Sequence, residues 1–189
     1  MNILLEPGDI FLMRGCGFIS KAIRFFTRSI SEKRTKVNHV GLVVQRGEVK
    51  TVIVVEALCK GVMRHTLWSQ CRLPRKDLVA VYRATNLSSE QIKNIVAKAE
   101  KQVGKKYGFL MIAAHLKDWF FLGIYFFRRL ISCNKYPICS WVMADAFAEV
   151  GKDFGVEIGM ATLDDIWDFI QDNPDKYKEI YPLKLLSQG

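Results

Sequence analysis

The sequence predicts an α+β fold in which a small antiparallel sheet packs against helices. Three segments rich in valine, 37–44, 49–57 and 78–84, are typical of β-strands. Helical periodicity of apolar residues follows the last of them, first after Ser88 and again from Cys139. Hydrophobic residues make up 50% of the 189 residues, which is enough to build a core, so we expect one domain.

A further strand is expected near the amino terminus. Residues 6–9 have turn chemistry and lead into the apolar run 10–13, which Gly15 and Gly17 close. The first two valine-rich segments are separated only by the hairpin-like residues 46–48. These two strands are therefore expected to pair in an antiparallel manner.

Four helices are predicted from apolar periodicity and from residues that favour helix ends. The first is amphipathic and has a basic face with Lys21, Arg24 and Arg28. Ser88 and Gln91 have the spacing of a capping box before the second. The predicted helices cover residues 18–30, from Ser88 to near Gly104, 139–150 with Gly151 at the end, and 162–170.

The segment 109–131 is the most apolar part of the chain. His115, Lys117 and Asp118 divide it into halves that are each too short to cross a bilayer core of roughly 30 Å. We therefore expect a single domain, 1–189, with an apolar helical insertion at about 108–132. A buried helical pair is the favoured interpretation. Because the flanks are basic, a hairpin at a membrane surface or a lid over an acyl site are the alternatives.

The charge balance favours an anionic partner. The chain has 28 Lys+Arg and 19 Asp+Glu, a formal net charge of +9, which suits lipid headgroups, cell-wall polymer or nucleic acid. Nucleic acid is the weakest of these candidates, because the basic residues are scattered and no recognition motif is found. Peripheral contact with an anionic membrane or polymer is the expectation.

The amino terminus indicates the cellular compartment, and the cysteines indicate whether disulfides or a zinc site are expected. Met1 to Leu5 is followed by a turn instead of a long apolar stretch, so no secretory signal is expected and a cytoplasmic location is predicted. Five cysteines are an odd number without a CxxC pair, which favours neither a disulfide framework nor a zinc site. No metal and no cofactor are expected.

Cys139 is the candidate nucleophile. It stands at the predicted first turn of an apolar helix, two residues after Pro137. Free backbone N–H groups and the helix dipole stabilise a thiolate there, and the same amides can hold an oxyanion. The alternative is a small buried core residue.

His39 is the candidate general base. In Asn38-His39-Val40-Gly41, strand alternation puts His39 and Gly41 on one sheet face, and the missing side chain of Gly41 is expected to leave open space for a cleft. A core histidine with satisfied hydrogen bonds is the alternative. His65 is interpreted as an exposed strand residue, and His115 has no orienting partner.

Glu56 is the candidate third residue. It is a lone carboxylate at the end of a strand of β-favouring residues. If this strand pairs with the His39 strand, the two side chains come close enough for Glu56 to orient the imidazole. An edge-strand carboxylate that meets water or a lysine is the alternative.

These motifs, in this order, resemble the permuted NlpC-like papain superfamily, in particular its YiiX/YebB-like group and, more distantly, lecithin retinol acyltransferase relatives. In unpermuted relatives the cysteine precedes the histidine, whereas here it follows. The matching segments are Pro7 to Ile10, Asn38 to Gly41, Glu56-Ala57 with Gly61-Val62, Gly104 to Tyr107, and Cys139-Ser140.

The resemblance implies a permuted papain-like fold with the nucleophile at a helix amino terminus. It also implies acyl transfer through a thioester on Cys139, with His39 moving the proton, Glu56 orienting it and Tyr107 helping to bind substrate. The first hypothesis is a hydrolase of amide bonds, such as a peptide or a cell-wall cross-link. The alternatives are a lipid-directed acyltransferase or phospholipase at a membrane surface, and a binding module for an anionic polymer without catalysis.

Overall fold

The computed structural model describes residues 3–15, 35–73, 76–108 and 137–181. The predicted helix at 18–30 lies outside these residues, as does nearly all of the apolar insertion with His115. Within the described residues there are eight strands: β1 (Leu4–Leu5), β2 (Ile10–Gly15), β3 (His39–Gln45), β4 (Gly47–Glu48), β5 (Ile53–Leu58), β6 (Gly61–Thr66), β7 (Lys76–Ala84) and β8 (Tyr177–Tyr181).

Six of these strands form one antiparallel sheet in the order β6, β5, β3, β2, β7, β8. The pairing of β3 with β5 confirms the expected neighbours, with Leu42 opposite Val55 and Val43 opposite Val54. The expected hairpin at residues 46–48 is wrong in detail. Gly47–Glu48 forms a separate strand that pairs with β1, and β5 begins only at Ile53.

Of the two edge strands, β8 was not predicted from the sequence, and β6 was anticipated only at His65. Arg64 is exposed on β6, and Lys178 and Glu179 are exposed on β8, so neither strand has the valine-rich pattern of the central ones. Edge strands commonly carry such charges, because a charged edge discourages pairing with another chain. Because of these charges, an edge strand lacks the alternation of hydrophobic residues by which a strand is recognised in a sequence.

The described helices are α1 (Trp68–Cys71), α2 (Ser89–Glu100), α3 (Cys139–Ala148) and α4 (Leu163–Asp172). The predicted capping box at Ser88 and Gln91 is present, and Thr162 with Asp165 forms a second one before α4. Both satisfy backbone N–H groups that have no partner within the helix. The helix from Cys139 starts where predicted, and Gly151 follows its end with φ +71°.

The core lies on both faces of the sheet. The larger cluster joins sheet residues such as Leu42 and Val55 to α3 and α4, represented by Phe147 and Ile166. A smaller cluster on the opposite face contains Phe11, Val43, Val54 and Leu67 among others. α3 contacts β3 and β5 directly, so the sheet that carries His39 and Glu56 also supports the helix that begins at Cys139.

A buried ion pair holds the amino-terminal turn to the sheet. Asp9, which is fully buried, receives two hydrogen bonds of 2.7 Å from Arg83 on β7, and its Oδ2 accepts a third from the backbone N–H of Glu6 at 2.8 Å. A bidentate guanidinium suits the geometry of a carboxylate. Asp9 in the Pro-Gly-Asp motif is thus a structural anchor that joins β2 to β7.

Candidate active site

Cys139 is the first residue of α3. Its predecessor Ile138 has the extended backbone of a helix N-cap, with φ −105° and ψ 170°, and its side chain caps nothing. The thiol is free and only 6% of Cys139 is exposed. The cysteine therefore lies where the unpaired amides of the first helical turn converge.

Buried contacts fix the position of α3. Its residues from Cys139 to Phe147 are all buried, as expected for a helix that is apolar on every side. Asp145 is its one charged residue within that buried stretch and accepts a 2.7 Å hydrogen bond from Gln102 Nε2. Lys98 Nζ lies 3.6 Å from the same carboxylate. Lys98 on α2 and Gln102 just after it therefore compensate the negative charge of Asp145 and help to hold α3 in place.

His39 is the first residue of β3, opposite Met13 on β2. Its Nε2 contacts Oε2 of Glu56, and the Cys139 side chain lies close enough to the ring to help raise the pKa of His39. Since Nε2 faces the carboxylate, Nδ1 is the ring nitrogen left for the thiol. The imidazole of His39 therefore lies between Cys139 and Glu56.

Glu56 has no exposed side-chain surface. The strand register that places Leu42 opposite Val55 brings Glu56 beside Gly41. A Cβ atom at position 41 would lie 2.9 Å from Cβ of Glu56 and 2.6 Å from Cε1 of Phe11. The expectation that Gly41 leaves an open cleft is therefore wrong, because the carboxylate side chain and the Phe11 ring occupy that space.

The charges of His39 and Glu56 stabilise each other. Burial alone lowers the pKa of His39, but the Glu56 charge and the hydrogen bonds to Cys139 and Glu56 raise it from 6.5 to about 10. Burial likewise raises the pKa of Glu56, but His39 and, to a smaller extent, His65 lower it from 4.5 to about 2. The arrangement favours an imidazolium beside a carboxylate at neutral pH.

His65 is not the exposed residue that its strand position suggested. It lies on β6 opposite Val54, one diagonal step from Glu56, and 16% of its side chain is exposed. Its Nε2 lies 2.7 Å from Oε1 of Glu56, although the two groups are not aligned as an ordinary hydrogen bond. Glu56 lies on the neighbouring strand β5, two residues beyond Val54, so it gives no signal in the local sequence pattern around His65.

Tyr107 lies in a loop that backbone hydrogen bonds hold in place. Val62 of β6 donates to Lys105 O and accepts from Gly104 N, both at 2.9 Å, and Gly108 N donates to Pro137 O at 3.1 Å. Tyr107 is partly buried, and its pKa is raised by burial first and then by the nearby charges of Cys139 and Cys59. The phenol therefore keeps its proton beside the candidate nucleophile.

The other described thiols have different surroundings. Cys59 is exposed at the turn between β5 and β6, whereas Cys71 is partly buried at the end of α1. Burial, followed by the charge of Glu56, raises the pKa of Cys71 to about 11. Among the described residues, a histidine interacts with Cys139, whereas the groups that shift the pKa of Cys71 include no histidine.

The described residues contain neither a metal-binding cluster nor a membrane-spanning helix. Within residues 3–15, 35–73, 76–108 and 137–181, no group of three or more His, Cys, Asp or Glu side chains could hold a metal ion. None of the helices in that part of the chain is long and apolar enough to cross a membrane.

Comparison with known proteins identifies the family. The chain is similar in fold to a solved structure described as metalloprotein yiiX from Escherichia coli O157:H7, with a TM-score of 0.52 and 19% sequence identity over 80% of this chain and 69% of that one. A search among curated proteins finds no match. The model of the permuted papain-like amidase family, YaeF/YiiX or C92, matches residues 5–119, which include His39 and Glu56 and stop before Cys139. Because this match covers more than half of the chain, the protein belongs to the permuted papain-like amidase family.

Proposed function

We propose that the protein is a cysteine-dependent amidase in which Cys139 is the nucleophile, His39 the proton carrier and Glu56 the group that orients His39. The observation that carries this proposal is the continuous contact from Cys139 through His39 to Glu56, with the thiol at a helix amino terminus. A nucleophile, a base and an orienting group in contact are the parts that covalent acyl transfer requires. Membership in an amidase family supports hydrolysis of an amide.

The proposed reaction begins with Cys139 as a thiolate, its proton held by His39, and the sulfur attacks the carbonyl carbon of the amide. The carbonyl oxygen becomes an oxyanion, which the free backbone N–H groups at the start of α3 stabilise. His39, protonated at neutral pH because Glu56 supports its charge, gives a proton to the leaving nitrogen, and the C–N bond breaks. The products of this half-reaction are a free amine and a thioester on Cys139.

Water completes the cycle. Neutral His39 removes a proton from water, the resulting hydroxide attacks the thioester carbonyl, and the C–S bond breaks to release a carboxylic acid and the thiolate. His39 is again the imidazolium. If another nucleophile takes the place of water, the same thioester transfers its acyl group. Tyr107, which keeps its phenolic proton, donates a hydrogen bond to the bound acyl substrate in this scheme.

The proposed substrate is a peptide or a cell-wall peptide with an amide to be cleaved. A second candidate is acyl transfer or phospholipid hydrolysis at an anionic membrane, favoured by the apolar segment 109–131 with Arg128 and Arg129 near its end. Activation by anionic vesicles that is lost on charge reversal of both arginines would select the lipid reaction. Cleavage of peptides without vesicles would select the amidase.

The first experiment is alkylation by iodoacetamide as a function of pH, followed cysteine by cysteine with mass spectrometry. Cys139 of the wild type is expected to react faster than Cys59 at pH 6, and His39→Ala is expected to abolish that advantage. Glu56→Gln should weaken it, and Cys59 is the internal control for an ordinary exposed thiol. If Cys139 is no more reactive than Cys59, and Cys139→Ala keeps full biological function, a binding module replaces the amidase.

A further inference from the structure

The carboxylate of Glu56 has two histidine partners, whereas the proposed reaction uses only one. Oε2 contacts His39, and Oε1 lies 2.7 Å from Nε2 of His65. Glu56 is fully buried, so its second oxygen has no contact with bulk solvent. A buried carboxylate oxygen without a donor is costly, which gives the second histidine a physical reason to be there.

Strand register explains how one carboxylate reaches both rings. Glu56 is on β5, between β3 and β6 in the sheet. His39 lies near it on β3, and His65 on β6 is opposite Val54, two residues before Glu56. Diagonal neighbours of this kind are within reach of long side chains. Gly41, on β3 beside Glu56, leaves room for the carboxylate side chain, because a Cβ atom there would lie 2.9 Å from Cβ of Glu56.

His65 is itself held in a defined orientation. Its Nδ1 lies 2.5 Å from Ser69 Oγ and 3.1 Å from the carbonyl oxygen of Thr66. Ser69 Oγ in turn donates a 2.8 Å hydrogen bond to the same carbonyl. Since these contacts fix Nδ1 at the start of α1, the opposite ring nitrogen, Nε2, lies on the side of Glu56, 2.7 Å from Oε1.

We propose that His65 is a positioning residue of the active site, which holds Oε1 of Glu56 so that Oε2 stays directed at His39. This inference rests on the proposed function, because it assigns His65 a part in preparing His39 for proton transfer. His65 acts through Glu56 and does not touch the reacting atoms. The order of contacts is Ser69, His65, Glu56, His39 and Cys139.

The test compares His65→Leu, His65→Gln and Ser69→Ala with the wild type. Arg64→Gln is the matched control, because Arg64 is the neighbouring β6 residue and contacts Glu100 on the surface instead of Glu56. One readout is the pH profile of Cys139 alkylation. The other is the NMR titration of the His39 ring, which does not depend on turnover. Urea denaturation of each variant establishes that it folds.

His65→Leu is expected to move the His39 titration by about one pH unit toward its ordinary value and to slow Cys139 alkylation at pH 7 by about tenfold. His65→Gln, whose amide N–H can replace Nε2, should restore most of both. Arg64→Gln should match the wild type. If His65→Leu does not fold, Ser69→Ala decides the question, with a smaller shift in the same direction expected.

A folded His65→Leu or Ser69→Ala with an unchanged His39 titration overturns the inference, even if its stability has fallen. That result would make His65 a purely structural residue and would leave the proposed amidase intact. An unreactive Cys139 in the wild type would instead refute the proposed function. In that case the His39 titration alone still decides whether His65 positions Glu56.

Discussion

Glu56 lies directly beside Gly41 across the β3 and β5 strands, and the glycine has no side chain that could displace it. A Cβ atom at position 41 would be 2.9 Å from Cβ of Glu56 and 2.6 Å from Cε1 of Phe11. The glycine in the Asn-His-Val-Gly motif therefore serves close packing. It lets a charged side chain occupy the interior next to the histidine.

We predict that Gly41→Ala destabilises the protein and disturbs the site. The added methyl group must displace the Phe11 ring, Glu56 or the backbone, and such overpacking costs about 1–3 kcal/mol. Urea denaturation would measure the loss, and the pH profile of Cys139 alkylation would report the displacement of Glu56. Gly41→Ala combined with Phe11→Leu is expected to recover part of the stability. An alanine variant as stable as the wild type would contradict this packing.

The His39 and Glu56 pair should give the stability a defined pH dependence. The pKa of Glu56 falls from 4.5 to about 2 on folding, so its contribution is present above pH 4.5 and is lost as the pH falls toward 2. The pKa of His39 rises from 6.5 to about 10, so its contribution is complete below pH 6.5 and is lost as the pH rises toward 10. The stability advantage over Glu56→Gln should therefore be greatest between pH 4.5 and 6.5.

That advantage is measured as the difference in the free energy of unfolding between the two proteins in urea, at a series of pH values. Glu56→Gln keeps the size of the side chain while removing its charge, so it isolates the electrostatic contribution. A difference that stays constant from pH 3 to pH 10 would show that the pair does not carry opposite charges in the folded protein.

Cys71 is expected to be a slow thiol in the same alkylation experiment. Burial, followed by the Glu56 charge, raises its pKa to about 11, so very little thiolate is present at neutral pH. At pH 7.5 its labelling should be more than tenfold slower than that of the exposed Cys59. Glu56→Gln should accelerate Cys71 labelling. Equal rates for Cys59 and Cys71 in the native protein would be inconsistent with this environment.

Tyr107→Phe should separate substrate binding from nucleophile activation. The variant removes the phenolic O–H, whose pKa is raised by burial and nearby negative charge, and it keeps the ring packing. Hydrolysis of an amide substrate is expected to fall by about tenfold, as for the loss of one hydrogen bond to a bound group. Alkylation of Cys139 should remain unchanged. If Cys139 alkylation fell together with hydrolysis, Tyr107 would instead influence the reactivity of the Cys139 thiol.

Features that depend on neighbouring residues could be predicted from the sequence alone. The helix that begins at Cys139, the capping box at Ser88 and the central strands all follow from hydrogen bonds and periodicities that span a few residues. The order of motifs also led to the permuted papain-like family, which the family match confirms. The contact of His39 with Glu56, 17 residues away, was expected from antiparallel pairing and is present.

Only the tertiary structure decided what surrounds that contact. The space beside Gly41 depends on Phe11, a residue of another strand, and the position of His65 depends on the register of β6 against β5. Neither can be read from local periodicity, because strand register is set by the packing of the whole sheet. The sequence by itself therefore determined the local elements and the candidate residues, whereas the sheet decided that Glu56 lies buried between two histidines.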